Sequence, residues 1–190
     1  MDETGLWNGS VSQRTYVNPS TMDSVGVVSP GDHKRDTGVV ALSADGTIHP
    51  YFISHSPQKT KKVNGRSVVV KKKVAGMGFD QMNQWSEEFA NKYGNPSGTV
   101  LIMDRLRVHM NSKIKKNLEE KHVECFYLPP QNAKLASVCD DSFFSVLKSR
   151  ISKMDTTTTE KKKKGFFSLC EEFPEKMVKN FYHHCGWNFE

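Results

Sequence analysis

Four aspartates stand where folding can bring carboxylates together. Asp104 closes the apolar run Thr99 to Met103 (TVLIM), which reads as a strand buried on both faces. Burying a carboxylate there without a partner is costly, and a strand-end Asp that caps a loop is the ordinary alternative. His109 follows five residues later and, taken alone, is a polar loop residue. Asp140 and Asp141 open a helical segment, where acids favour the positive end of the helix dipole. Asp2 is the second residue and carries no meaning by itself. Together, carboxylates from a strand start, a strand end and a helix can converge to hold two divalent ions. Hard oxygen ligands suit Mg²⁺ or Mn²⁺. Two such ions roughly 3.5–4 Å apart can activate a nucleophile and stabilise the leaving oxygen of a phosphodiester, with no side-chain base required.

These acids need elements to position them. GVVALSA (38–44), then Asp45-Gly46, then Thr47 to Ser54 read as a hairpin with a two-residue type I′ turn. Pro50 cannot donate to a ladder, which predicts a sheet edge for the second strand. Phe79, Met82, Trp85, Phe89 and Tyr93 recur at helical spacing and predict a helix over 79–93 with a core-facing stripe, closed by a left-handed Gly94. Strand 99–103, a helix over 112–121 capped by Ser112, and strand 123–128 form a βαβ unit. Further helices are expected from about Asp140 and over 174–185. An antiparallel hairpin followed by parallel βαβ strands and flanking helices is a mixed α/β sheet, an order that fits the ribonuclease H-like layout among a few alternatives.

The chain has 190 residues, 36% of them hydrophobic and 25% charged, which excludes a disordered tail and suffices for one ordinary core. A single domain over 1–190 is expected, with a basic mobile loop at 55–76 and a low-complexity surface loop at 155–164. No apolar run approaches the ~20 residues that cross a bilayer, and the acidic start lacks a signal-peptide core. The cysteines at 125, 139, 170 and 185 form no C-x-x-C pair, so reduced thiols in an intracellular protein are the simpler reading. The net charge of +6 suits a polyanionic partner. Between Lys59 and Lys73 stand seven basic residues and no acid: Lys59, Lys61, Lys62, Arg66, Lys71, Lys72 and Lys73. On charge alone this is a solvated loop, with a phosphate-tracking patch as the functional alternative.

Several blocks resemble the DDE-superfamily endonuclease domain of pogo and mariner class transposases and their domesticated tigger, jerky and centromere-protein-B-like relatives. They are DETG at Asp2–Gly5, VVALSADGTIHPYFI (39–53), TVLIMDRLRVH (99–109), LPPQNAKLASVCDDSFFSVLK (128–148) and FYHHCGW (181–187). The resemblance implies Asp2, Asp104 and Asp140 as catalytic metal ligands, with Asp140 rather than Asp141 as the third acid. It implies two Mg²⁺ or Mn²⁺ ions, DNA as partner, a nuclear location and no small-molecule cofactor. Arg105, His109, Lys61, Lys62, Arg66, Lys71, Lys72 and Lys73 become candidates for supporting the acids or touching DNA. Two departures stand out. Arg105 replaces the usual Asn and can pair with Asp104, and Ser137-Val138-Cys139-Asp140 replaces Gln-Pro-Leu-Asp. The first strand also reads as truncated ahead of Asp2, no helix-turn-helix domain is present, and an unpaired sheet edge invites homo-oligomers.

The expected function is metal-dependent DNA cleavage or strand transfer. The alternative is a non-catalytic derivative that binds DNA or protein, and a third reading is a small basic protein that binds nucleic acid through 59–73 alone. The 59–73 basic run and the helix termini near the acids predict non-specific DNA binding, and the shortened strand and Arg105 predict poor cleavage or none.

Overall fold

Val39 and Val40 decide the layering. Neighbouring residues of a strand point to opposite faces of the sheet, and both valines are fully buried. The strand that carries them therefore has core on both sides. The computed structural model describes residues 1–7, 35–55, 60–63, 66–69, 76–130 and 136–188.

Strands β1 (Asp2–Trp7), β2 (Arg35–Leu42) and β3 (Ile48–Ile53) form an antiparallel sheet in that order. Asp2 pairs with Val40 and Trp7 with Arg35. Asp2 thus opens a six-residue strand paired along its whole length, where the sequence suggested an acid without a strand. Pro50 lies opposite Val40 on β3, which is the outer strand of this sheet.

The β2–β3 turn differs from the expected type I′ pair. Gly46 N–H donates to the Ser43 carbonyl, Ser43 N–H donates to the Thr47 carbonyl, and of the two central residues only Gly46 has a positive φ (97°). The Asp45 side chain accepts from Thr47 N–H, and Gly46 takes the left-handed position, the arrangement of a turn closed by a glycine bulge.

Within the segment expected to be a loop, Thr60–Val63 (β4) and Arg66–Val69 (β5) pair as an antiparallel hairpin. Lys61, Lys62 and Arg66 therefore sit on strands, and Lys71, Lys72 and Lys73 lie outside the described residues.

Helix α1 (Phe79–Tyr93) buries Met82, Trp85 and Phe89 as the stripe requires, while Phe79 at its start is exposed. Gly94 ends it in extended rather than left-handed conformation (φ −60°, ψ 124°). A Cβ there would run into the Lys121 and Ala90 carbonyl oxygens, so glycine serves a close approach.

Strands β6 (Thr99–Met103) and β7 (Val123–Tyr127) run parallel and are joined through α2 (Ser112–Glu119). Asn111, not Ser112, caps α2 by accepting from Lys113 N–H. Only one face of β6 is covered. Leu101 and Met103 lie under α1 and α2 with Ile114, Leu118 and Val123, whereas Val100 on the other face is 61% exposed. The Met1 amino group donates to the Ile102 carbonyl at 2.7 Å and sets the start of β1 beside β6. Beyond that bond the ends of β2 and β6 bound a cleft of about 550 Å³, lined in part by Ser43, Val100, Ile102, Tyr182 and Trp187.

A π-helical turn, Cys139–Phe143, leads straight into α3 (Phe144–Ile151). Helices α4 (Thr159–Glu171) and α5 (Glu175–His184) follow. Their apolar residues Phe143, Leu147, Phe166 and Val178 cover Leu6 and Val40 on the second face of the sheet. The expected 155–164 loop therefore ends at Thr158, whose hydroxyl caps α4. Lys162 of the lysine run is buried, with Nζ 2.7 Å from Asp36 Oδ2 and 3.2 Å from the Leu6 carbonyl. No helix among the described residues is long and apolar enough to cross a membrane.

Candidate active site

Asp2 and Asp140 meet across Ser137. Asp2 is buried at the head of β1, where Oδ1 accepts from Glu3 N–H (2.7 Å) and Oδ2 accepts from Ser137 Oγ (3.4 Å). The same Ser137 hydroxyl oxygen accepts from Asp140 N–H (3.2 Å). Burial first, then the hydrogen bond and like charge of Asp140, push the Asp2 carboxyl up to about 7, against the Glu3 N–H that favours ionisation. Near neutral pH Asp2 is therefore divided between its protonated and charged forms.

Asp141 faces elsewhere. Its Oδ2 lies 3.1 Å from Ser142 Oγ, 3.3 Å from His184 Nε2 and 3.7 Å from Cys185 Sγ, which ties it to the end of α5. The π-helical turn carries this division, with Asp140 on its exposed side and Cys139, Ser142 and Phe143 buried. Such turns concentrate at functional sites.

Asp104 follows β6 and is held by His109. Nδ1 of His109 lies 2.6 Å from Asp104 Oδ1, and Leu106 N–H donates to the same oxygen at 3.1 Å. Burial works against ionisation of Asp104, but the His109 bond and the Leu106 N–H outweigh it and hold the carboxyl below its ordinary value. His109 is fully buried, and its Nε2 lies 3.3 Å from Glu3 Oε1. Burial alone would lower the imidazole, yet Asp104 and Glu3 together push it up to about 9. His109 is thus an imidazolium at neutral pH, which makes it a clamp between two carboxylates and not a base. Arg105 forms no ion pair with Asp104 among the described residues; the imidazole holds the place that the sequence suggested for the guanidinium.

Glu3 was not singled out by sequence. Strand alternation puts it on the face opposite Asp2, where Oε2 also accepts from Met77 N–H at 3.0 Å. A strand residue next to a candidate acid was the available signal. The acids thus fall into two sets, Asp2–Asp140 and Asp104–His109–Glu3. The Met1 ammonium acts on both Asp2 and Asp104, so the sets share one neighbourhood. Among the described residues no three His, Cys, Asp or Glu side chains stand close enough to hold a metal ion as a cluster.

Residues 60–162, more than half of the chain, match the DDE superfamily endonuclease family. The chain belongs to that family. The match takes in Asp104, His109 and Asp140, and leaves Asp2 and Glu3 outside it. No curated protein and no solved structure matches. Membership in the DDE superfamily endonucleases fits the chemistry of the Asp2–Asp140 pair. Two hard-oxygen donors in mutual repulsion are what a divalent cation relieves. Asp104 keeps Oδ2 outside its bonds to His109 and Leu106.

Proposed function

We propose that this DDE superfamily endonuclease chain is a transposase-derived nuclease domain of the pogo and mariner kind, built on a ribonuclease H-like sheet, that binds and cleaves DNA. The observation that carries the reading is the meeting of Asp2 and Asp140 across Ser137, where burial and the nearby Asp140 carboxyl raise Asp2. The bond from Met1 to Ile102 supports the sheet order by setting β6 beside β1. Asp2 and Asp140 are the groups that would hold Mg²⁺ or Mn²⁺, and Asp104, which does not stand in a three-acid cluster with them, would offer its Oδ2 to a second ion. When bound, such ions supply an activated water and charge neutralisation at the scissile phosphate. His109 and Glu3 hold Asp104 in one orientation, and Ser137 holds Asp140 to Asp2. The test is Mn²⁺-supported nicking of supercoiled DNA by the chain and by Asp2→Asn, Asp104→Ala and Asp140→Asn. Slow nicking lost in all three variants is the expected result.

A second reading, a non-catalytic DNA- or protein-binding derivative, is favoured by the engagement of Asp104 with His109. DNA binding with no nicking in Mg²⁺ or Mn²⁺ would establish it in place of the first.

A further inference from the structure

The turn that follows Asp104 is anchored from within and bare outside. Leu106 carbonyl accepts from both His109 N–H (3.0 Å) and Met110 N–H (3.1 Å), which closes one helical turn. Inside, His109 is fully buried and its carbonyl accepts from Tyr127 hydroxyl at 3.0 Å, while Val108 packs against the core under α1 and α2. Outside stand Arg105, Leu106, Arg107 and Met110. Leu106 is 45% and Met110 47% exposed. Residues four apart on a helical turn are side by side, so the two form one apolar surface. A single exposed apolar residue is ordinary. Two together, on a turn fixed by a buried ring and flanked by two guanidiniums, ask for a ligand that is both anionic and flat-faced. Neither Arg105 nor Arg107 has an ion-pair partner among the described residues.

DNA has that combination of charge and apolar face once a base is unstacked, and apolar wedges beside basic side chains are how proteins exploit it. We infer that Leu106 and Met110 form a wedge that packs on an unstacked base next to the phosphate facing Asp104, while Arg105 and Arg107 hold the flanking phosphates. This rests on the nucleic-acid reading above and adds to it the part of the DNA that the turn touches.

The experiment uses the full chain and a short duplex with 2-aminopurine at successive positions, with affinity measured across salt concentrations. The double variant Leu106→Ser/Met110→Ser should bind at least about fivefold more weakly, because the apolar packing on the base is lost. It should lose the 2-aminopurine fluorescence rise and keep the parent's salt slope. Arg105→Gln/Arg107→Gln should lower the slope by about two, at ~0.9 per phosphate, and keep the rise. Leu106→Phe should retain both binding and rise. All these side chains are exposed, so melting temperatures should match the parent. A serine variant that binds and brightens like the parent overturns the wedge and leaves the nuclease reading standing. A serine variant that changes only self-association in sedimentation also overturns it, because the surface then serves a second copy. A parent chain that does not bind the duplex overturns both the wedge and the nucleic-acid reading.

Discussion

At the scale of single residues, both acid sets lose stability as pH rises, but in different windows. The Asp2 carboxyl is raised to about 7 in the fold from an ordinary value near 3.8. Between those values the folded state binds a proton that the unfolded state has lost, so stability falls as pH rises from about 4 to 7. Asp2→Asn should remove that decline, read as denaturant midpoints across the range in chelating buffer; a slope unchanged by the substitution would show that Asp2 is not the titrating group. His109 is raised to about 9, so its contribution is complete below its unfolded value near 6.5 and is lost as pH climbs through 9. His109→Ala should flatten stability between pH 7 and 9. It should also cost about 3–5 kcal/mol, because Glu3 and Asp104 are left without their shared cation. Equal alkaline slopes in parent and variant would refute the clamp.

At the scale of elements, α4 is joined to the sheet by an ion pair and a close approach. Lys162 on α4 and Asp36 on β2 form a fully buried pair. Truncating one partner leaves the other buried and charged, so Lys162→Ala should destabilise by about 3–5 kcal/mol. Lys162→Met with Asp36→Leu should recover much of that, because apolar replacement of a buried pair is often neutral. Melts of the three variants decide it, and a double variant no better than the single one would mean that packing matters more than the charge. The close approach is at Gly38, where a Cβ would come within 2.7 Å of the Phe166 ring and 3.2 Å of Leu6. Gly38→Ala should cost about 1–3 kcal/mol as the ring is displaced. A melting temperature equal to the parent's would show that Phe166 can move aside freely.

At the scale of the whole molecule, the net charge of +6 meets a site made of acids. DNA association should therefore depend on basic residues away from the carboxylates. The β4–β5 hairpin carries Lys61, Lys62 and Arg66. Replacing all three with Gln should weaken non-specific duplex binding similarly for every sequence and lower the salt slope by about 2.7, at ~0.9 per released phosphate contact. An unchanged slope would move the electrostatic surface elsewhere. The two sheets are unequally covered. β1–β3 have helices on both faces, while β6–β7 leave Val100 and Phe126 exposed on the face that continues into the cleft.

What the sequence determined by itself are the features written in local contacts. The aromatic period of 79–93 made α1, the TVLIM run and its partner at 123–127 made a parallel βαβ pair, and Pro50 marked the outer strand. The blocks around Asp104, His109 and Asp140 carried the resemblance to the DDE endonuclease family. Periodicity and proline chemistry act between residues a few places apart, so they can be read before the chain folds. Tertiary structure decided whatever depends on segments distant in sequence. Glu3 reaches His109, Lys162 reaches Asp36 and Ser137 reaches Asp2, each across more than a hundred residues. No local pattern announces such pairs. The lysine run at 161–164 looks solvated until Asp36 is brought beneath Lys162. The carboxyl at Asp2 looks ordinary until burial and Asp140 remove the water that would have kept it ionised.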